Sequence, residues 1–258
     1  MLFRSRRLGP KTLVSLMLAN NETGAIQPVS EVAALVHAAG GLLHVDAVQG
    51  PGRISCDFRA LGADLMTVSA HKIGGPLGAG ALIRREGLAL DPLIRGGGQE
   101  RGARAGTENV TAIAGFGAAA EATRLGWTQE APRLAALRDR LETGLKAIAP
   151  AIVIFGAESP RLPNTTLFAV AGMKPETAVI AFDLHGVAVS SGAACSSGKV
   201  TPSHVLAAMG VSTDLARGAI RASLGYATKD GGVEIILNTW AKLQESLYKA
   251  TKAREFAA

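Results

Sequence analysis

Asp46 and Lys72 are the residues around which chemistry can be built. Each follows a strand-like run, residues 42–45 before Asp46 and residues 64–69 before His71 and Lys72, and turn-forming residues come next. Asp46 brings a carboxylate, with the amide of Gln49 three residues on. Lys72 brings a primary amine, with the Ser69 hydroxyl and the His71 imidazole close before it. Neighbouring parallel strands lie about 4.8 Å apart, so two such strand ends can address one small ring. Singly these residues are ordinary, since an Asp after a strand usually makes a turn and a loop Lys is usually solvated. Together they supply what pyridoxal phosphate (PLP) asks of a protein. A carboxylate keeps its ring nitrogen protonated, a lysine joins its aldehyde, and donors hold its phosphate and its phenolate oxygen.

Cys195 is the second candidate. It lies among Ser191, Gly192, Ala193, Ser196, Ser197 and Gly198, a composition that suits an exposed loop rather than a core strand. A nucleophile that reaches a substrate and then presents its sulfur elsewhere needs such a loop. Cys56, between Ile54 and Asp57, has no such setting and is read as structural. His37, His44, His185 and His204 are scattered, with no pair at metal-ligand spacing, so no metal site is expected.

The elements that must position these groups alternate. Strands are predicted at 12–19, 42–45, 64–69 and 80–84, with a helix at 30–39 that Ser30 caps and Gly40 stops, and a short helix at 57–61. Polar residues recur just after strand ends, the layout of a mostly parallel sheet with its site at the carboxyl edge. The glycine-rich, basic stretch 96–106 is a loop, followed by helices at 108–124 and 132–148. Beyond Pro150 the pattern changes to short strands (152–155, 166–170, 187–190, 217–224) mixed with helices (176–184, 203–209 and from about 232). This predicts an α/β chain with a large domain over 1–120 and a smaller α+β domain over 121–258 that carries the Cys195 loop.

Composition narrows the classes. The chain has 258 residues, 48% of them hydrophobic and only 4% aromatic, which suits an α/β enzyme able to bury a core. The net charge of +6 comes from scattered Lys and Arg, with one cluster at Arg4, Arg6 and Arg7. No helix carries a basic stripe with interleaved aromatics, which argues against a nucleic-acid partner. Two cysteines far apart give no disulfide framework, so a reducing, cytoplasmic setting is expected. No apolar run is long enough to span a bilayer, and residues 1–7 lack the apolar core of a signal peptide.

Six motifs in order carry a family resemblance. They are Asn20-Asn21-Glu22-Thr23-Gly24, His44-Val45-Asp46-Ala47-Val48-Gln49, Ser69-Ala70-His71-Lys72-Ile73-Gly74-Gly75-Pro76, Arg104-Ala105-Gly106-Thr107, the stretch from Ser190 through Cys195 to Gly198, and Ile220-Arg221-Ala222-Ser223-Leu224-Gly225. From about Leu13 to about Trp240 the chain resembles the cysteine desulfurases, class V aminotransferases of the branch serving iron–sulfur assembly. The resemblance implies the aspartate aminotransferase type of PLP-dependent transferase fold. It also implies roles. Lys72 joins the cofactor and later moves protons at the substrate Cα, and Asp46 pairs with the ring nitrogen. Gln49, with Asn21, lies near the phenolate or the substrate carboxylate. Ser69 and His71 hold the phosphate, and Thr107 reaches the cofactor of a partner subunit, which implies a homodimer. Arg221 clamps the carboxylate of L-cysteine, Cys195 takes its sulfur as a persulfide, and a sulfur-acceptor or iron–sulfur scaffold protein collects it.

The match begins late. Family members carry, ahead of the position of Leu13, a glycine-rich phosphate-binding turn with a Thr at a helix start and a His that stacks on the PLP ring, and neither has a counterpart here. The resemblance therefore leaves the phosphate to Ser69, His71 and Thr107, the large-domain sheet incomplete and an apolar edge uncovered. Two alternatives stand beside desulfuration: a selenocysteine lyase, and a non-catalytic remnant that keeps a dimer or scaffold-binding surface.

Overall fold

Val14 and Leu16 are buried while Leu13 and Ser15 are exposed, the alternation that a strand with one covered face requires. The computed structural model describes residues 8–191 and 203–255, and it divides them into two compact units. One runs to Ala19 and resumes over Gln27–Thr128; the other takes Asn20–Ile26 and everything from Gln129.

In the first unit, β1 (Leu13–Met17), β2 (Leu42–Asp46), β3 (Leu65–Ser69) and β4 (Gly80–Arg84) form a sheet in that order. The first three strands are parallel, and β4 returns antiparallel to β3. Helix α1 (Val29–Ala38) covers one face: its Val29, Val32, Ala33 and Val36 share a core with Val14, Leu16, Leu43 and Val45. Each fully buried Val or Leu among them contributes roughly 1.5–3 kcal/mol. The expected cap is displaced. The helix starts after Pro28, Ser30 lies inside it, and the Ser30 hydroxyl donates to the Ala60 carbonyl at 3.2 Å. The expected helix at 57–61 closes a single turn, Leu61 N–H to the Asp57 carbonyl at 2.9 Å, because Gly62 follows at once with φ 67°.

Asp64 locks the amino ends of β2 and β3. It is 1% exposed and accepts from Leu43 N–H at 2.8 Å, His37 Nε2 at 2.8 Å and Arg85 Nε at 2.9 Å. A buried carboxylate persists only when paired in this way.

Helix α2 (Val110–Ile148) is one continuous element where two were expected. Pro132 has no N–H to return to the carbonyl four residues back, at Thr128, and the division between the units falls at that residue. Good helix formers on both sides, including Ala118–Ala120 and Leu134–Leu137, carry the helix across it.

The second unit builds an antiparallel sheet in the order β5 (Val153–Ile154), β6 (Thr165–Ala169), β8 (Ile220–Ser223), β7 (Ser190–Ser191). Helices α3 (Pro175–Leu184), α4 (His204–Ala208), α5 (Thr213–Arg217) and α6 (Asp230–Glu255) accompany it; α5 was not expected. Its core gathers Leu141, Leu145, Phe168, Phe182, Ile220, Val233 and Trp240. Phe168 meets Trp240 edge to face, centroids 5.3 Å apart.

Candidate active site

Asp46 ends β2, and in the register of the sheet it stands opposite Thr67, two residues before Ser69 ends β3. Strand pairing alone therefore places a carboxylate and a hydroxyl at one edge. Beyond Ser69 the chain turns through a short 3-10 helix, Ala70–Ile73, which carries His71 and Lys72. Gly74, at φ 83°, ends it in a conformation that a side chain would resist.

The groups at this edge are held lightly. Asp46 Oδ1 accepts the Val48 N–H at 3.1 Å, a local turn that leaves most of the carboxylate's capacity free. Ser69 Oγ and His71 Nδ1 are 2.9 Å apart, so hydroxyl and imidazole are oriented together. Lys72 is half-buried, and its carbonyl accepts from Arg53 Nη2 at 3.1 Å. Arg53 Nη1 donates to the Gln49 carbonyl, also at 3.1 Å. Arg53 was not singled out from the sequence, where nothing in the spacing marks it. Burial lowers its pKa, and burial pushes the thiol of nearby Cys56 up to about 12, which keeps that cysteine protonated. Thr107 is exposed in the segment before α2, without a hydrogen bond to the others.

Arg221 and Asn21 belong to the second unit. The segment Asn20–Ile26 is tied there by Leu162 N–H to the Gly24 carbonyl at 2.8 Å and by a bridge between Ala25 and Arg161. Asn20 Oδ1 shapes it, accepting from Glu22 N–H at 2.9 Å and Thr23 N–H at 3.0 Å. Arg221 lies on β8, flanked by β6 and β7. Its Nη1 donates to the Asn21 carbonyl at 2.9 Å and its Nη2 to Ser190 Oγ at 3.2 Å. Its buried Nε finds no partner among the described residues. A guanidinium has five N–H groups, so two held donors fix its plane and leave others for a carboxylate. Ser203 caps α4 through Leu206 N–H at 3.1 Å and also donates to the buried Glu22 carboxylate. Glu22 and Ser190 stood in the motifs and Ser203 at a predicted helix start, but none was given a role from the sequence, because their partners lie 31 to 181 residues away. Cys195 lies outside the described residues.

Among the described residues no group of three or more His, Cys, Asp or Glu is placed to hold a metal ion. Two more of the scattered histidines have hydrogen-bond partners: His44 bridges Ser15 Oγ at 2.7 Å and Thr67 Oγ1 at 3.3 Å, and His185 Nδ1 meets the Ala181 carbonyl at 2.8 Å. No described helix is long and apolar enough to cross a membrane.

Residues 6–236 match the family described as Aminotransferase class-V. The chain belongs to the class-V aminotransferase family. That family is PLP-dependent. Among curated members, a cysteine desulfurase of Gluconacetobacter diazotrophicus is 46% identical over 245 residues, covering 93% of this chain and 61% of the relative. A cysteine desulfurase of Cereibacter sphaeroides is 47% identical over 241 residues, covering 93% and 62%. Among solved structures, a NifS-like protein from Rickettsia africae matches with a TM-score of 0.84 at 38% identity, over 93% of this chain and 62% of that one. The apo cysteine desulfurase of Thermococcus onnurineus matches with a TM-score of 0.78 at 25% identity, over 91% and 60%. The class-V aminotransferase chain described here thus spans about 61% of the length of the curated relatives it matches.

The residues present fit the family's cofactor in their chemistry. One sheet edge of the first unit offers a carboxylate with open acceptor capacity, a hydroxyl paired with an imidazole, and a primary amine on a fixed turn.

Proposed function

We propose that this chain contributes the cofactor lysine and the substrate-binding arginine of a PLP-dependent cysteine desulfurase that converts L-cysteine to L-alanine. What carries the reading is the placement of Asp46, Ser69 and Lys72 just at and beyond the ends of adjacent parallel strands β2 and β3. Asp46 holds the ring nitrogen protonated, Ser69 and His71 hold the phosphate, and Gln49 lies at the phenolate. Bound there, PLP supplies a sink for the electron pair left when the substrate loses its Cα proton.

The chain's own residues do the rest. Arg221 holds the substrate carboxylate, with Asn21 beside it. The Lys72 amine takes the proton from Cα and returns one. The Cys195 thiolate forms a bond to the substrate sulfur as the substrate carbon–sulfur bond breaks; the carbon keeps the electron pair, takes a proton and leaves in L-alanine. Cys195 retains the sulfur as a persulfide for an acceptor or iron–sulfur scaffold protein. Thr107 reaches the cofactor of the partner subunit in a homodimer, and the setting is cytoplasmic. The relatives' names support the activity, and the identity of about 46% supports carrying it over.

The test is the visible absorption spectrum of the purified chain with PLP, before and after L-cysteine. A band that appears with PLP, shifts on adding L-cysteine and is lost in Lys72→Ala supports the reading. A folded chain that stays colourless overturns it, and binding to a scaffold protein would then define its role.

A further inference from the structure

We propose that Arg53 is a positioning residue that sets the presentation of Lys72; this rests on Lys72 being the cofactor lysine. Lys72 stands on a 3-10 helix of only four residues. Such a helix cannot satisfy its own last carbonyls. Gly74 and Gly75 both return their N–H groups to the Ala70 carbonyl, so neither reaches Lys72. The Lys72 carbonyl is taken instead by Arg53 Nη2 at 3.1 Å.

The same guanidinium holds the Gln49 carbonyl through Nη1 at 3.1 Å. Gln49 follows β2 and Lys72 follows β3, so one planar fork spans the two turns that leave the sheet edge. Its rigid donor geometry couples the position of one turn to that of the other. The loop that carries Arg53 is itself fixed, with Arg53 N–H and Ile54 N–H both donating to the Gly50 carbonyl at 3.0 Å. Arg53 thus works through backbone atoms and touches neither the Lys72 amine nor the Asp46 carboxylate. Its effect falls on where those groups point.

Reductive trapping tests this. The full chain and its Arg53→Ala and Arg53→Lys variants are incubated with PLP, reduced with borohydride and mapped by peptide mass spectrometry, with exposed Lys146 as internal reference. Hydrogen exchange of peptides covering 13–17 and 70–75 is followed without PLP. The wild-type chain is expected to label at Lys72 in preference to Lys146. Arg53→Ala lowers that ratio about tenfold, as expected when two carbonyls each lose an ordinary hydrogen bond. It also speeds exchange over 70–75 but not over 13–17, and Arg53→Lys restores part of both, since an ammonium can still donate to one carbonyl. Selective Lys72 labelling that persists unchanged in Arg53→Ala overturns the positioning role alone. No preference for Lys72 in the wild-type chain overturns the cofactor reading, and the positioning role with it. If exchange over 13–17 rises as well in Arg53→Ala, Arg53→Lys decides: a ratio above that of Arg53→Ala with wild-type exchange over 13–17 supports the role, and a ratio as low as in Arg53→Ala overturns it.

Discussion

The two ends of the β1–β4 sheet each carry a carboxylate, and they are held in opposite ways. Asp64, at the amino ends of β2 and β3, is 1% exposed and engaged by a backbone N–H, an imidazole and a guanidinium. Asp46, at the carboxyl end of β2, is half-buried and accepts one hydrogen bond from its own turn. The first arrangement spends most of the carboxylate's acceptor capacity on the fold. The second leaves most of it open. The second unit repeats the contrast: Glu142 is closed by both nitrogens of the Arg161 fork at 2.8 Å and by Thr166 at 2.7 Å, while Arg221 keeps a buried Nε without a partner among the described residues. Among these four charged groups, Asp64 and Glu142 are closed by partners that hold the fold, while Asp46 and Arg221 keep open hydrogen-bonding capacity.

The largest expected effect comes from breaking the satisfied end. Asp64→Ala strips Leu43 N–H of its acceptor inside the core and leaves His37 and Arg85 without their counter-charge. Losing one member of a buried charged network costs about 3–5 kcal/mol, and the exposed side chains of His37 and Arg85 place this case near the lower figure. Urea unfolding of the variant against wild type measures it. A loss under about 1 kcal/mol would mean that the network contributes little and that the contrast between the two ends is not energetic.

Much of this was legible in the sequence, and the reason is local. Asp46, Ser69 and Lys72 follow short strand-like segments rich in Leu, Met and Val, so the strands and their polar ends could be read together, and β4 appears at the residues expected for it. The turn residues of the 20–24 segment were legible as a motif. What was hidden depends on contacts between distant residues. Asp64 reads as the first residue of a strand until His37, 27 positions earlier, is brought beside it. Arg53 reads as a basic turn residue until it meets a carbonyl 19 positions on. Pro132 suggested a helix start, yet the surrounding helix propensity outweighs one missing hydrogen bond and the helix runs through it. The cap assigned to Ser30 failed because its hydroxyl has a tertiary partner, the Ala60 carbonyl.

A smaller effect on stability is expected at the open end. Asp46→Ala removes one local turn hydrogen bond, from Val48 N–H, and uncovers no buried charge. Its cost in urea unfolding should stay within about 1 kcal/mol. On the proposed reading the same variant should shift the visible band that PLP gives with the wild-type chain, because the ring nitrogen loses the carboxylate that keeps it protonated. Two measurements on one protein thus sharpen the comparison. Stability falling as far as in Asp64→Ala would place Asp46 with the fold-holding carboxylates and break it.

The smallest effect concerns a third carboxylate, Asp57, which lies between these extremes. It is exposed, yet its Oδ1 accepts from Ala60 N–H and Arg59 N–H, both at 2.9 Å. Those two backbone bonds hold its pKa below the ordinary carboxylate value, the Ala60 bond most of all. The sign follows from that direction. A carboxylate whose pKa is lowered by folding adds stability above its unfolded value, about 4, and the contribution is lost as pH falls through the lowered folded value. Asp57→Asn keeps an oxygen to accept the same N–H groups but cannot titrate. Thermal unfolding between pH 6 and pH 3 should therefore decline slightly more steeply for wild type than for Asp57→Asn. Parallel declines would show that these two bonds favour the neutral and charged forms of Asp57 equally, and a lightly held, exposed carboxylate would then differ from Asp46 only in its place on the sheet.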